Sequence, residues 1–188
     1  QIPIIMLFTQ SVAPVALVRI ARLEKENDWE GIKDTWNEVL GSLYGVGIPV
    51  TLFFIAVAKP LIALTYTDQY IDAVPIFQIS ALAMLSHLLN PSLVLRALDR
   101  NDVTLKVNIS LVMILPFALH LGMKTHGLIG IIAAHAIVLV GGRVIVHMVL
   151  NRLAPVHLPF VAPWKSILDF YRKTFLKGYR WISGRVNQ

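Results

Sequence analysis

Apolar residues in this chain fall into five long blocks, at about 1–18, 39–58 (with an extension to 67), 73–95, 107–123 and 127–149, and short polar segments separate them. Val39 to Ala58 runs 20 residues without an Asp, Glu, Lys or Arg, Ala73 to Leu95 runs 23, and Val107 to Met123 runs 17. The last block, Gly127 to Val149, is interrupted only by Arg143. A helix needs about 20 mostly apolar residues to cross a hydrocarbon core of about 30 Å, so the blocks have the length of membrane spans. The wall of a barrel would alternate apolar with polar positions, and these blocks do not. The pattern predicts an all-α integral membrane protein with five transmembrane helices.

Charge then orients the spans. The first polar segment holds Arg19, Arg22, Lys25 and Lys33, and the third holds Arg96, Arg100 and Lys106. Eight further bases follow from Arg143 onward, whereas the second and fourth segments hold one base each, Lys59 and Lys124. Cationic flanks stay on the cytoplasmic side during insertion, so the first and third segments and the tail are expected in the cytoplasm. Arg143 then lies near the cytoplasmic end of its span, where its side chain can snorkel to the headgroups. Residues 1–150 balance ten basic against ten acidic side chains, and 151–188 carry seven bases against Asp169 alone, so the tail accounts for the whole net charge of +6. A basic excess confined to one juxtamembrane tail excludes nucleic acid as the partner and points to membrane lipids. With no cysteine there is neither a disulfide nor a thiolate metal site. An odd number of spans with a cytoplasmic tail, opening at Gln1 inside an apolar block, is the pattern of the C-terminal piece of a longer transporter-like chain.

Two amphipathic segments are expected beside the spans. Trp29, Ile32 and Trp36 recur at helical spacing in the segment Arg19 to Glu38, which predicts a short helix along the interface. After Pro155, Pro159 and Pro163, the residues Trp164, Leu168, Tyr171, Phe175, Tyr179 and Ile182 recur every three or four positions, with Lys165, Arg172, Lys173, Lys177 and Arg180 on the other faces. This predicts a cationic interfacial helix over 164–182, an anchor for the last span or a docking element. Gly41-x-x-x-Gly45 lets a neighbouring helix approach the second span. Pro14, Pro49, Pro91 and Pro116 lie inside apolar blocks, where a proline removes a backbone hydrogen bond and kinks the helix.

No catalytic constellation occurs. The six histidines show no metal-binding or paired spacing, no carboxylate lies inside a span, and neither a phosphate-binding glycine loop nor a dinucleotide fingerprint is present. The expectation is a non-enzyme without cofactor or metal. Gln78, His87 and Asn90 in the third block and His135 in the fifth are uncharged polar groups that need partners in hydrocarbon. They either bond across to neighbouring helices or line a hydrated cavity for a polar substrate. Arg96 and Arg100 either set topology or attract a phosphate at the cytoplasmic mouth, since guanidinium binds phosphate bidentately.

Two stretches carry a family resemblance. In Ala58 to Leu82 an apolar helix ends in a short loop with Asp68 and Tyr70, and Ala73-Val74-Pro75 opens the next helix toward Gln78. Leu98-Asp99-Arg100 leads to Lys106 and Asn108 as in the family's cytoplasmic turn, usually Leu-Gly-Arg, with Asp99 and Asp102 departing from that pattern. Over about 1–150 the chain resembles O-antigen and exopolysaccharide flippases of the multidrug/oligosaccharidyl-lipid/polysaccharide exporter superfamily. The resemblance implies the last five helices of the second of two lobes, in the bacterial inner membrane. It also implies translocation of an undecaprenyl-pyrophosphate-linked glycan by alternating access, for lipopolysaccharide or exopolysaccharide assembly. The implied partners are an N-terminal lobe of the same protein and a polysaccharide polymerase or ligase. A multidrug or solute exporter of the same superfamily, a lipid-modifying membrane enzyme, and a membrane scaffold for polysaccharide-synthesis enzymes remain the alternatives.

Overall fold

The computed structural model describes residues 3–66, 68–88 and 90–186, with side chains except those of 3–6, 8, 68, 87 and 177–186. Seven helices occur among them, with no strand: α1 (Pro3–Lys25), α2 (Trp29–Ala56), α3 (Ala58–Tyr66), α4 (Val74–Leu88), α5 (Ser92–Ala97), α6 (Asn101–Leu153) and α7 (Trp164–Val186). A 3-10 turn, Asp68–Ala73, joins α3 to α4.

The breaks between helices have local causes. After α1, Asn27 takes a left-handed backbone (φ 57°), and the Asp28 amide returns to the Leu23 carbonyl at 2.9 Å, closing the helix end. Asp28 then caps α2, its carboxylate accepting from the Gly31 amide at 2.9 Å. The same device ends α5: Asp99 has φ 54°, and the Arg100 amide donates to the Leu95 carbonyl at 2.8 Å. α2 stops at Ala56 because Pro60 has no amide to donate and its ring would press on the carbonyl four residues earlier. The second apolar block is therefore two helices meeting at Val57. Pro91 likewise divides the third block into α4 and α5. Pro14, Pro49 and Pro116 stay inside α1, α2 and α6 without ending them.

α6 is a hairpin rather than one rod. His126 (φ −137°, ψ 19°) and Gly127 (φ 58°, ψ −135°) leave helical geometry and reverse the chain, so residues 101–125 and 128–153 run side by side. A Cβ built on Gly122 would meet the Gly130 carbonyl oxygen at 2.3 Å, and one on Gly130 would meet that of Gly122 at 2.0 Å. Only glycines allow the arms to pack this closely. Further along, Gly142 faces Leu111.

The packed core gathers at one end of the bundle. Ile20 from α1, Ile32 and Trp36 from α2, Leu95 from α5, Leu150 from α6 and Leu158 from the following linker are all buried together. Trp36, 1% exposed, donates its indole N–H to the Pro159 carbonyl at 3.0 Å. This corrects the interfacial helix expected in the first polar segment. α1 continues to Lys25, α2 starts at Trp29, and Trp36, expected on a helix along the interface, is a core anchor holding the linker. Asn151 completes that anchorage: its amide donates to the Leu158 carbonyl at 3.1 Å and accepts from the Leu158 amide at 2.8 Å. Away from this end large apolar side chains stand exposed, among them Val112, Phe117, Leu121 and Ile137 on the α6 hairpin.

Candidate functional site

The break at Asn90-Pro91 opens the bundle. The residue before a proline is turned away from helical geometry, so α4 cannot run straight into α5. The Asn90 carbonyl takes the Leu93 amide at 3.0 Å and starts the new helix. Beside this break, α5 and the two arms of α6 enclose a cavity of about 230 Å³. Asn90, Ser92 and Arg96 line it from the break, Thr104 and Asn108 from the first arm, and Arg143 from the second. Below the roughly 300–1,000 Å³ of sites that enclose whole drug-sized ligands, it fits one charged group of a larger molecule.

The chemistry of the lining is that of an anion site. Two guanidinium-bearing side chains from different helices reach it, with amide and hydroxyl groups and no carboxylate. Guanidinium presents a rigid fork of donors matched to phosphate oxygens. The Thr104 hydroxyl is buried without a protein hydrogen-bond partner. Asn108 lies about 10 Å along α6 from Asn101, at about 1.5 Å per residue, so the site is recessed from the polar end of the helix.

The structure brings together two of the six residues singled out from sequence, Asn90 and Arg96. Arg100 instead pairs with Asp102 at 3.4 Å, and Lys106 holds the same carboxylate at 3.3 Å. Those contacts, the Lys106 hydrogen bond foremost, keep the Asp102 carboxyl below its ordinary range. Gln78 serves as interhelical glue, its amide donating to the Ile55 carbonyl of α2 at 3.2 Å. His135 is exposed on α6 and does not line the cavity. His87 belongs to α4, and its side chain lies outside the described residues. Arg143, read from sequence as a snorkelling charge, is the residue that sequence reasoning missed. The available signal was its position after Gly142, a small residue at which the Leu111 side chain of the opposite arm packs. A larger groove of about 500 Å³ runs between α2 and α7, but Asp34, Glu38 and Asp169 line it against Lys173, the wrong sign for a phosphate.

Two helices among the described residues, α2 and the α6 hairpin, are long and apolar enough to cross a bilayer. The chain is an all-α integral membrane protein. The family model described as lipid II flippase MurJ matches residues 1–183, and the chain belongs to that family. The match upholds the lipid-linked precursor flippase expected from the sequence, and the protein is a transporter, not an enzyme. It does not single out the O-antigen branch. Comparison with curated proteins and with solved structures gives no match.

Proposed function

We propose that this chain forms part of the translocation path for a polyprenyl-diphosphate-linked cell-wall precursor of the lipid II kind, and that the cavity at the α4–α5 break receives its diphosphate. The observation that carries the reading is the convergence of Arg96 and Arg143, from separate helices, on one recessed polar cavity without a carboxylate. A cation held within an apolar helix is costly and marks a pathway for a charged species. The spans in this reading are the five apolar blocks, with α4 and α5 together as the third and the arms of α6 as the fourth and fifth. The α1–α2 turn, the α5–α6 turn and the tail lie in the cytoplasm. Burial of Ile20, Ile32, Leu95 and Leu158 in one core supports that orientation, since it gathers the three base-rich segments at one end. The cavity then opens toward the side where such precursors are made.

A specific observation keeps a second substrate in view: Asp68, Tyr70, Pro75, Lys106 and Asn108 match elements of O-antigen and exopolysaccharide flippases. The test is reconstitution of the protein in vesicles, with leaflet exchange followed for fluorescent lipid II and for an undecaprenyl-diphosphate-linked O-unit. Exchange of lipid II that falls with Arg96→Gln and Arg143→Gln is the expected result. Exchange of the O-unit alone would reassign the substrate, and exchange of neither would refute the flippase reading.

A further inference from the structure

α7 has two faces. On one, Ile167 is 8% exposed, and Ser166 and Phe170 pack on Gly41 and Gly45 of α2. A Cβ on Gly41 would meet the Ser166 carbonyl oxygen at 2.5 Å, and one on Gly45 would meet the Phe170 ring at 2.6 Å. The Tyr171 hydroxyl donates to the Gly45 carbonyl, and the Lys173 ammonium meets the Glu38 carboxylate at 2.9 Å. The helix expected at the interface, as an anchor for the last span or a docking element, is clamped to the protein through the glycine pair. On the other face Trp164 is 71% and Phe175 75% exposed, with Leu168 half exposed between them, flanked by the exposed Lys165 and Arg172.

The clamp fixes the depth of the exposed face. Glu38 is the last charged residue of α2 before the uncharged run Val39–Ala58, so the water–hydrocarbon boundary falls at its level. Gly41 and Gly45 lie three and seven residues further, about 5 and 10 Å into the apolar zone at about 1.5 Å per residue. Apolar faces of surface-lying helices sit about 5–10 Å deep. The Lys173–Glu38 pair ties α7 to the same boundary. We infer that α7 is a clamped interfacial helix whose exposed Trp164–Leu168–Phe175 stripe inserts into an anionic leaflet, with Lys165 and Arg172 on lipid phosphates. Charge decides this occupant against a second copy of the chain. Residues 151–188 hold seven bases against Asp169, and a symmetric pairing of this face would set base against base.

The absence of cysteine allows a direct test on the full chain. Leu168→Cys and Phe175→Cys, both at exposed positions outside the core, are labelled with a nitroxide. The protein is reconstituted in phosphatidylcholine vesicles with or without about one-third phosphatidylglycerol. With the anionic lipid, both labels should be reached by oxygen and shielded from a water-soluble nickel chelate. That protection should fall several-fold in phosphatidylcholine alone, or when salt rises from about 0.1 M to about 1 M and the Debye length shrinks from about 10 Å to about 3 Å. The variant with Lys165, Arg172 and Arg180 all changed to Gln should reproduce the zwitterionic result. If it fails to fold, the salt titration on the labelled chain decides alone. Labels open to nickel in anionic vesicles would overturn the inference, and so would labels closed to both reagents, which would mean a protein cover. Equal protection with and without anionic lipid would overturn the selection by charge.

Discussion

At the scale of single residues, Arg143 shows how one placement redirects a reading. Alone in an apolar block it looks like a charge reaching for headgroups, yet it shares a cavity with Arg96, some fifty residues away in sequence. A charge-assisted hydrogen bond contributes about 1.5–3 kcal/mol, so Arg143→Gln should lower initial lipid II exchange in vesicles by about tenfold to a hundredfold. Arg143→Lys, which keeps the charge without the fork, should retain part of the activity, and His135→Ala should change little. Asp99 carries a second residue-scale lesson. Asp99 holds a left-handed conformation (φ 54°) that glycine adopts without steric cost. Asp99→Gly should raise stability by up to about 1 kcal/mol, measured as the thermal midpoint in detergent.

At the scale of elements, glycine contacts govern how close helices come. The α6 arms touch backbone to backbone at Gly122 and Gly130, whereas Gly142 meets only the end of the Leu111 side chain. A new methyl at Gly122 has nothing flexible to displace, and overpacking of this kind costs about 1–3 kcal/mol. Gly122→Ala should therefore lower the unfolding midpoint in detergent clearly more than Gly142→Ala, where Leu111 can change rotamer. Much of the element pattern was legible beforehand. The apolar blocks foretold where helices lie, and the prolines after Arg152 foretold where α6 stops; of Pro14, Pro49, Pro91 and Pro116 inside apolar blocks, only Pro91 marks a helix boundary. The amphipathic periodicity from Trp164 foretold α7. The first polar segment was misread because Trp29, Ile32 and Trp36 at helical spacing fit an interfacial helix as well as a core-facing one. Periodicity says that a face is apolar, not what covers it; here the linker carbonyl of Pro159 covers Trp36.

At the scale of the whole molecule, the hold of α7 on the bundle has a pH dependence. Hydrogen bonding from Lys173, with a further contribution from Arg19, keeps the Glu38 carboxyl below its usual range. A carboxyl depressed in the folded state stabilises at pH above its unfolded value, and that stabilisation is lost as pH falls through the depressed one. Both partners of the Lys173–Glu38 pair are about half or more exposed, so its contribution is at most about 1 kcal/mol. A nitroxide at Phe175→Cys should thus become more mobile as the pH drops below the ordinary carboxylate range, and Glu38→Gln should show that mobility already at neutral pH. A pH-independent label would mean that the glycine contacts alone hold the helix.

The sequence by itself determined the helical membrane class, the extent of the apolar blocks, the stop at the prolines after Arg152 and the segregation of bases. Each of these is a sum of properties that residues carry individually or with near neighbours: transfer free energy into hydrocarbon, backbone restriction and charge. Only the tertiary structure decided that the arms of α6 touch at Gly122 and Gly130, that α7 seats on Gly41 and Gly45, and that Arg143 rather than Arg100 joins Arg96. Those outcomes depend on distances between residues remote in sequence. Close helix packing is set by which small residues happen to face each other in space, and no property of one residue alone encodes that.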